Sequence, residues 1–278
     1  MSYRTWRKRK LKVLITVKTY PIPSTKYDEL VCTAGVTEEG EFIRLYPINF
    51  RDLPYEKQYK KYQWIEVEVM RHEQTDIRKE SFRPDNDTLK ILGNPILPNS
   101  GNWDKRKRYV LKKEARSLDE LKEQFKVDQT SLGIFKPQKI EDFIVSSDSE
   151  DWKPEFYSAL QQHRLWEERK SSLKPPRKVP YKFHYKLKCE DERCKGHKLS
   201  IHDWELGALY WKLIDDGHSE NETVQRVRER FFDELCSETR DTYLFVGTMK
   251  DRFNPWIVLG LFYPKKELTR DLFGFGQE

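Results

Sequence analysis

The chain has 278 residues, of which 37% are hydrophobic and 35% charged, and its formal net charge is +6. Its 8 Trp, 14 Tyr and 15 Phe argue against a disordered chain, because disordered segments are poor in aromatic residues. No stretch approaches the roughly 20 apolar residues that a membrane span needs, and the basic N-terminus has no signal-peptide cleavage pattern. Four cysteines are too few for a disulfide scaffold, so we expect a cytoplasmic protein with reduced thiols.

The first hundred residues are predicted to be rich in strands. Apolar residues alternate over 13–18 and again over 64–69, with the period of two that is typical of strands. Two apolar segments, 30–36 and 42–46, flank a polar turn that contains Gly40, which predicts a hairpin. We expect residues 11–98 to form a small barrel or a strongly bent sheet. This strand order resembles a PUA-like or other small nucleic-acid-binding barrel.

The middle of the chain mixes loops with short elements. Residues 99–116 read as a polar, basic loop, and Ser117 with Glu120 has the spacing of a capping box that starts a helix. A strand is predicted at 140–145 and a helix at 153–170.

The C-terminal third predicts strands and helices after a Ser- and Pro-rich boundary at 171–178. A strand is expected at 181–188, and helices at 204–214 and 219–235, the second of which opens with the capping-box spacing of Ser219 and Glu222. Two strands at 243–246 and 256–262 are apolar on both faces, which predicts central positions in a covered sheet. The predicted fold is therefore α+β, with a β-rich domain at 1–110, a connecting segment at 111–172 and a zinc-bearing α+β domain at 173–278.

A metal site is predicted around Cys189, Cys194, His197 and His202. Zinc prefers four tetrahedral nitrogen and sulfur ligands, and Gly196 allows a sharp turn beside two of them. The pattern resembles a zinc knuckle, although the spacings differ. Four protein ligands close a zinc site, so the expected role is structural.

Two alternatives remain for these cysteines. Cys236 or Cys32 is a possible replacement for His202 as the fourth ligand. The simpler interpretation is a hairpin with two reduced cysteines and a surface histidine.

Basic clusters with interleaved aromatic residues predict nucleic-acid binding, because cations neutralise phosphates and rings stack on unpaired bases. The predicted contact residues are Arg7, Lys8, Arg9 and Lys10, then Trp103, Lys105, Arg106, Lys107 and Arg108, and finally Lys174, Arg177 and Lys178. For any single cluster, a solvated charged surface is the competing interpretation.

No catalytic signature stands out, because the sequence has no phosphate-binding loop, dinucleotide fingerprint or nucleophile elbow. The segment from His202 to Glu205 is best explained by Asp203 capping a helix. The leading hypothesis is a nucleic-acid-binding protein, DNA or RNA, that recognises an unpaired or modified base. The alternatives are a nucleic-acid-processing enzyme, either a nuclease or a glycosylase-like hydrolase, and a scaffold subunit of a larger complex.

Overall fold

A computed structural model describes residues 8–24, 29–71, 76–98, 103–158, 174–191, 194–249 and 252–266. The fold is mixed α+β, with a closed five-stranded barrel in the N-terminal part and a later region of helices and sheets. This confirms the predicted fold class. The PUA-like identity of the barrel and the zinc-bearing character of the second part stay predictions. In the described residues, no helix is long and apolar enough to cross a membrane.

The barrel is built from mostly antiparallel strand pairs. The strands are β1 (Arg9–Lys18), β2 (Ile22–Pro23), β3 (Glu29–Val36), β4 (Phe42–Ile48), β5 (Trp64–Met70), β6 (Ser81–Pro84) and β7 (Lys90–Leu92). The neighbours run β1-β3-β4-β6-β5, and β5 pairs back with β1, which closes the ring. The β4–β6 pair is parallel. Strand β2 pairs with β3, and strand β7 pairs with β5, both antiparallel.

Strand β1 contributes to two hydrophobic cores. Val13 and Ile15 pack inside the barrel, whereas Leu14 and Val17 face the second half of the chain. Strict alternation would put Val17 on the side of Val13 and Ile15. The register with β3 shifts between Ile15 and Val17, so Thr16 forms a bulge that reverses the faces.

The second half contains the remaining elements. They are α1 (Asp104–Val110), α2 (Leu118–Asp128), β8 (Leu132–Phe135), β9 (Lys139–Ser147), β10 (Tyr181–Lys188), β11 (His197–Ser200), α3 (Trp204–Asp215), α4 (Glu220–Arg228), β12 (Tyr243–Met249) and β13 (Arg252–Phe262). A π-helical turn, Glu229–Glu234, extends α4. The strands form two three-stranded sheets, β11-β10-β9 and β13-β12-β8.

Two sequence predictions differ from this arrangement. The polar loop predicted at 99–116 contains the helix α1, because Val110 is buried and anchors an otherwise charged segment. Strand β13 flanks β12 instead of lying in the centre of its sheet. Its outer side is still covered, since Ile201 bridges to Val258 and the backbone N–H of His202 donates to Val258 O at 2.8 Å. Most of the helix predicted at 153–170 lies outside the described residues.

The barrel and the second half share a continuous core. Leu14 and Val17 of β1 pack with Ile257, Leu259 and Phe262 of β13. A backbone hydrogen bond of 2.9 Å from Tyr20 N to His202 O runs beside this contact. This packing brings the end of β1 next to the start of α3.

Candidate functional site

A pocket of about 520 Å³ opens at one end of the barrel, where β1 ends and α3 begins. We call it the barrel-mouth pocket. Its lining comes from distant parts of the chain, namely Ile15, Val17, Lys18, Phe50, Tyr55, Glu56, Gln58, Tyr59, Lys60, Lys61, Gln63, Ile91, Asp203, Trp204 and Glu205. Pockets of this size hold ligands as large as a nucleotide.

Lys18, the last residue of β1, carries an ammonium group into this pocket. Its Nζ lies 3.7 Å from the ring centroid of Phe50, 4.9 Å from that of Trp204 and 5.7 Å from that of Tyr59. Within the described part of the chain, no carboxylate or other acceptor bonds to it. Burial lowers the pKa of Lys18 to about 8. Its N–H groups are therefore available to a ligand.

Asp203 lies across the same pocket and caps helix α3. Its Oδ1 accepts a hydrogen bond of 2.8 Å from Glu205 N, which confirms the capping role expected from sequence. Its Oδ2 is buried and has no hydrogen-bond partner among the described residues. Burial raises the pKa of Asp203 to about 7. An orphaned buried acceptor is costly unless a ligand or water satisfies it.

The rim of the pocket carries exposed groups. Tyr55 is 88% exposed, and Lys60 is also exposed. The segment 174–177 runs alongside, because Arg51 Nη2 donates to Lys174 O at 2.9 Å and Tyr20 Oη donates to Arg177 O at 2.8 Å. One predicted basic cluster therefore lies near the barrel mouth.

In that cluster, two of the three cations are already paired. Arg177 binds Asp215 at 2.7 Å, and Lys178 binds Asp148 at 3.0 Å. The side chain of Lys174 is exposed. Lys174 is therefore the member best placed to meet a phosphate.

The N-terminal cluster lies toward the other end of β1. Lys8 pairs with Asp85 at 3.5 Å, Lys10 pairs with Glu66 at 3.2 Å, and the guanidinium of Arg9 lies over the Phe82 ring. Arg7 lies outside the described residues.

A larger groove of about 1100 Å³ begins at Lys8 and Arg9 and separates the barrel from α2 and β8. Its lining contains five cationic side chains and four carboxylates. Lys79 pairs with Asp128, and Lys113 pairs with Glu41. This near balance of charge makes the groove a weaker candidate for a polyanion site than its size suggests.

The cluster on α1 divides into buried and exposed residues. Trp103 is 6% exposed and packs against Tyr62, Phe262 and Tyr263, so its ring is not open to a base in this structure. The buried Arg106 lies 3.9 Å from the centroid of the Tyr62 ring, and its Nε donates to a backbone carbonyl. Trp103 and Arg106 therefore pack in the protein core and are not on its surface.

The other cations of α1 face outward. Lys105 and Arg108 are exposed, whereas Lys107 lies 3.6 Å from Asp104. Only Lys105 and Arg108 are thus positioned as free surface charges in this part of the described chain.

A separate group of metal-ligating side chains forms at the β10–β11 hairpin. The ligand atoms of Cys189, Cys194 and His197 all lie within 4.8 Å of one another, so this group can hold a metal ion. Gly196 has a φ of 88°, a left-handed conformation that turns the chain between two of these residues. The Cys194 Sγ accepts backbone N–H groups from Cys189 and Gly196, each at 3.4 Å, as a thiolate ligand would.

His202, the fourth predicted ligand, is not brought to this group. A strand advances roughly 3.3 Å per residue, which carries His202 away from His197. Its Nε2 lies 3.1 Å from Ser200 Oγ, and burial lowers its pKa to about 4. Among the described residues, the alternatives Cys236 and Cys32 also lie outside the group.

Comparison with known proteins places the chain in a family. A family model described as "Domain of unknown function (DUF8757)" matches residues 113–275, which is more than half of the chain. The chain belongs to this family. A second model, described as "Domain of unknown function (DUF8758)", matches residues 9–112 of this DUF8757 member. No curated protein matches it.

Among solved structures, the DUF8757 member is similar to a murine DNA-binding protein bound to double-stranded DNA. The two are 12% identical, with a TM-score of 0.31, over 93% of this chain and 96% of that chain.

Proposed function

We propose that the protein binds nucleic acid and receives one unpaired base in the barrel-mouth pocket. The observation that carries this proposal is the Lys18 ammonium, held among aromatic rings without an acceptor in a pocket that Asp203, with its orphaned buried oxygen, also lines. A base edge presents both acceptors and donors, so it complements this pair of groups.

The aromatic residues supply the second half of the recognition. Tyr55 stands exposed at the rim, and Trp204 lines the wall. Stacking of a base on an aromatic ring contributes about 1–3 kcal/mol and tolerates any base. The exposed cations Lys60 and Lys174 lie on the same side and suit the flanking phosphates.

The direct test is fluorescence anisotropy with labelled single strands, duplexes and an abasic oligonucleotide of equal length. We expect the base-containing single strand to bind most tightly. Lys18→Met keeps the apolar contacts but removes the donor, and Tyr55→Ala removes the rim ring, so each should weaken binding about 10- to 100-fold. Tyr157→Ala, at another exposed tyrosine, is the matched control and should bind as the unaltered chain does.

Salt dependence separates the phosphate contacts from the base contact. If Lys105 and Arg108 touch phosphates, the Lys105→Ala/Arg108→Ala double variant should lower the slope of log affinity against log salt by about 1.4 on single strands, or 0.7 per contact. Arg226→Ala, at an exposed arginine on α4, serves as the control. If no nucleic acid binds at low salt, the proposed function is wrong.

The chemistry of Lys18 and Asp203 also supports a second candidate function, that of a nucleic-acid-processing enzyme. Burial moves the pKa of Lys18 to about 8 and that of Asp203 to about 7, and perturbed pairs of this kind concentrate in active sites. Prolonged incubation of the same oligonucleotides with and without magnesium distinguishes the candidates. Strand cleavage or base loss that disappears in Lys18→Met would favour the enzyme.

We also propose that the metal ion held by Cys189, Cys194 and His197 is zinc. Two thiolates and one imidazole are ligands that zinc accepts and that magnesium and calcium do not prefer. About one zinc per chain is expected by elemental analysis of protein that has not met a chelator.

A further inference from the structure

The three metal-ligating side chains leave one corner of a tetrahedron to be filled. Zinc bonds of 2.0–2.3 Å separate the ligand atoms of a tetrahedral site by roughly 3.3–3.8 Å. The observed distance of 3.3 Å between Cys194 Sγ and His197 Nε2 already matches such an edge. The Nε2 atom of His197 therefore points toward the expected ion.

Helix α2 approaches this corner with a carboxylate. Asp119, in the first turn of α2, places its Oδ2 3.4 Å from His197 Nε2, which is a second edge of suitable length. The start of the same helix makes a second contact with the site, because the backbone N–H of Leu118 donates a hydrogen bond to the Cys189 thiol. The start of α2 therefore contacts the β10–β11 hairpin at the metal group.

We propose that Asp119 is the fourth ligand and closes the site with a carboxylate oxygen. This inference rests on the proposed zinc. Asp119 lies outside the group whose atoms are all within 4.8 Å of one another, so its carboxylate must move toward the thiols when the ion binds. Its side chain is 43% exposed, which leaves room for that rotation.

Neighbouring charges fit the assignment. Lys122 Nζ holds Asp119 Oδ1 at 2.8 Å and lies 3.4 Å from His197 Nδ1. Two thiolates and a carboxylate around a divalent ion carry a net negative charge, which this ammonium offsets. With an ion held by Nε2, the Nδ1 atom would carry the imidazole proton, and Lys122 would bond to Asp119 Oδ1 alone.

The proposed ligand set also explains why sequence spacing misplaces the fourth position. The ligand comes from a helix about 70 residues before Cys189, since Asp119 precedes both β9 and β10. Zinc then fastens α2 to the β10–β11 hairpin, and removing the ion should loosen the start of α2.

The loss-of-ligand test uses the full chain and competition with a chelator. We expect Asp119→Ala to bind zinc at least about tenfold more weakly, the smallest loss seen when even an outer partner of a ligand is removed. Glu123→Ala is the matched control, because Glu123 is exposed on the same helix and pairs only with Lys126 among the described contacts. An unchanged affinity in Asp119→Ala contradicts the proposal.

A gain-of-signal test remains decisive if Asp119→Ala folds poorly. In cobalt-substituted protein, Asp119→Cys should raise the thiolate-to-metal absorption by about one half, as two thiolates become three. Glu123→Cys should leave that absorption unchanged. No added absorption in Asp119→Cys, or zinc loss in His202→Gln with none in Asp119→Ala, overturns the role of Asp119 but not the zinc. Absence of metal from the unaltered protein overturns both.

Discussion

At the residue scale, the start of α3 places two titratable groups side by side with opposite pKa shifts. Burial, with help from His184, lowers the pKa of His202 from 6.5 to about 4. Between pH 6.5 and 4, His202 binds a proton in the unfolded chain but stays neutral in the folded protein. His202 therefore reduces stability as pH falls from 6.5 toward 4. Burial raises the pKa of Asp203 from 3.8 to about 7, so the stability that its bound proton contributes is lost as pH rises across that range.

These shifts predict opposite pH dependences for two neighbouring variants. His202→Gln removes the pH dependence that His202 contributes and keeps that of Asp203. As pH rises from about 4 to 7, its free energy of unfolding should therefore fall relative to that of the unaltered chain. Asp203→Asn keeps a capping side chain and removes only the pH dependence of Asp203. The contribution of His202 remains, so the free energy of unfolding of this variant should rise with pH over the same range, relative to the unaltered chain. Urea unfolding at several pH values measures both. Parallel pH profiles for all three proteins would show that these shifts are absent.

At the element scale, helix α4 begins with a complete capping box. The Ser219 hydroxyl accepts from Glu222 N, and the Glu222 side chain accepts from Ser219 N at 3.0 Å. The spacing of these two residues was sufficient to predict this start, because capping depends on contacts only three residues apart.

The cap supports a prediction about stability. Ser219→Ala should lower the free energy of unfolding by about 0.5–2 kcal/mol, because it leaves the backbone N–H of Glu222 at the helix start without its acceptor. Ser219→Asn should cost far less, since asparagine is an equally good cap. Chemical denaturation measures both variants, and equal losses would mean that the side-chain cap contributes little.

Strand β1 shows what local pattern leaves undecided at the same scale. Its alternation predicted a strand, but the bulge at Thr16 decides which core Val17 enters. The bulge is a property of the pairing between β1 and β3, so no reading of residues 13–18 alone reveals it. Lys18 reaches the barrel-mouth pocket beyond this bulge.

At the scale of the whole molecule, a buried arginine joins the barrel to the second half. Arg44 on β4 is 1% exposed and donates from Nη1 to Ser131 Oγ at 2.7 Å and from Nη2 to Thr248 O at 3.3 Å. Glu80 lies 3.5 Å from the guanidinium and also accepts from Ser131 N. The network spans parts of the chain that are as many as 204 residues apart.

Breaking this network should be costly. Arg44→Met removes the ion-pair partner of the buried Glu80 and should lower the free energy of unfolding by about 3–5 kcal/mol. Adding Glu80→Gln should recover part of the loss, because the charge left without its ion-pair partner is then removed. Arg108→Met, at an exposed arginine, should change stability little. If Arg44→Met and Arg108→Met have the same melting temperature, the network does not stabilise the contact between the barrel and the second half.

The sequence by itself determined the features that depend on short-range order. Alternation marked strands, capping residues marked the starts of α2, α3 and α4, and the spacing of Cys189, Cys194 and His197 brought three metal ligands together. The three-part domain division, the cytoplasmic location and all of the predicted nucleic-acid contacts stay predictions.

Only the tertiary structure decided which charges are free and which distant residues share a site. Within the α1 cluster, folding buried Trp103 and Arg106 and left Lys105 and Arg108 outside. It also closed the barrel so that Lys18 meets Trp204, and set Asp119 beside His197. The physical reason is that burial and long-range pairing minimise the free energy of the whole chain, and linear spacing carries no information about contacts between residues so far apart.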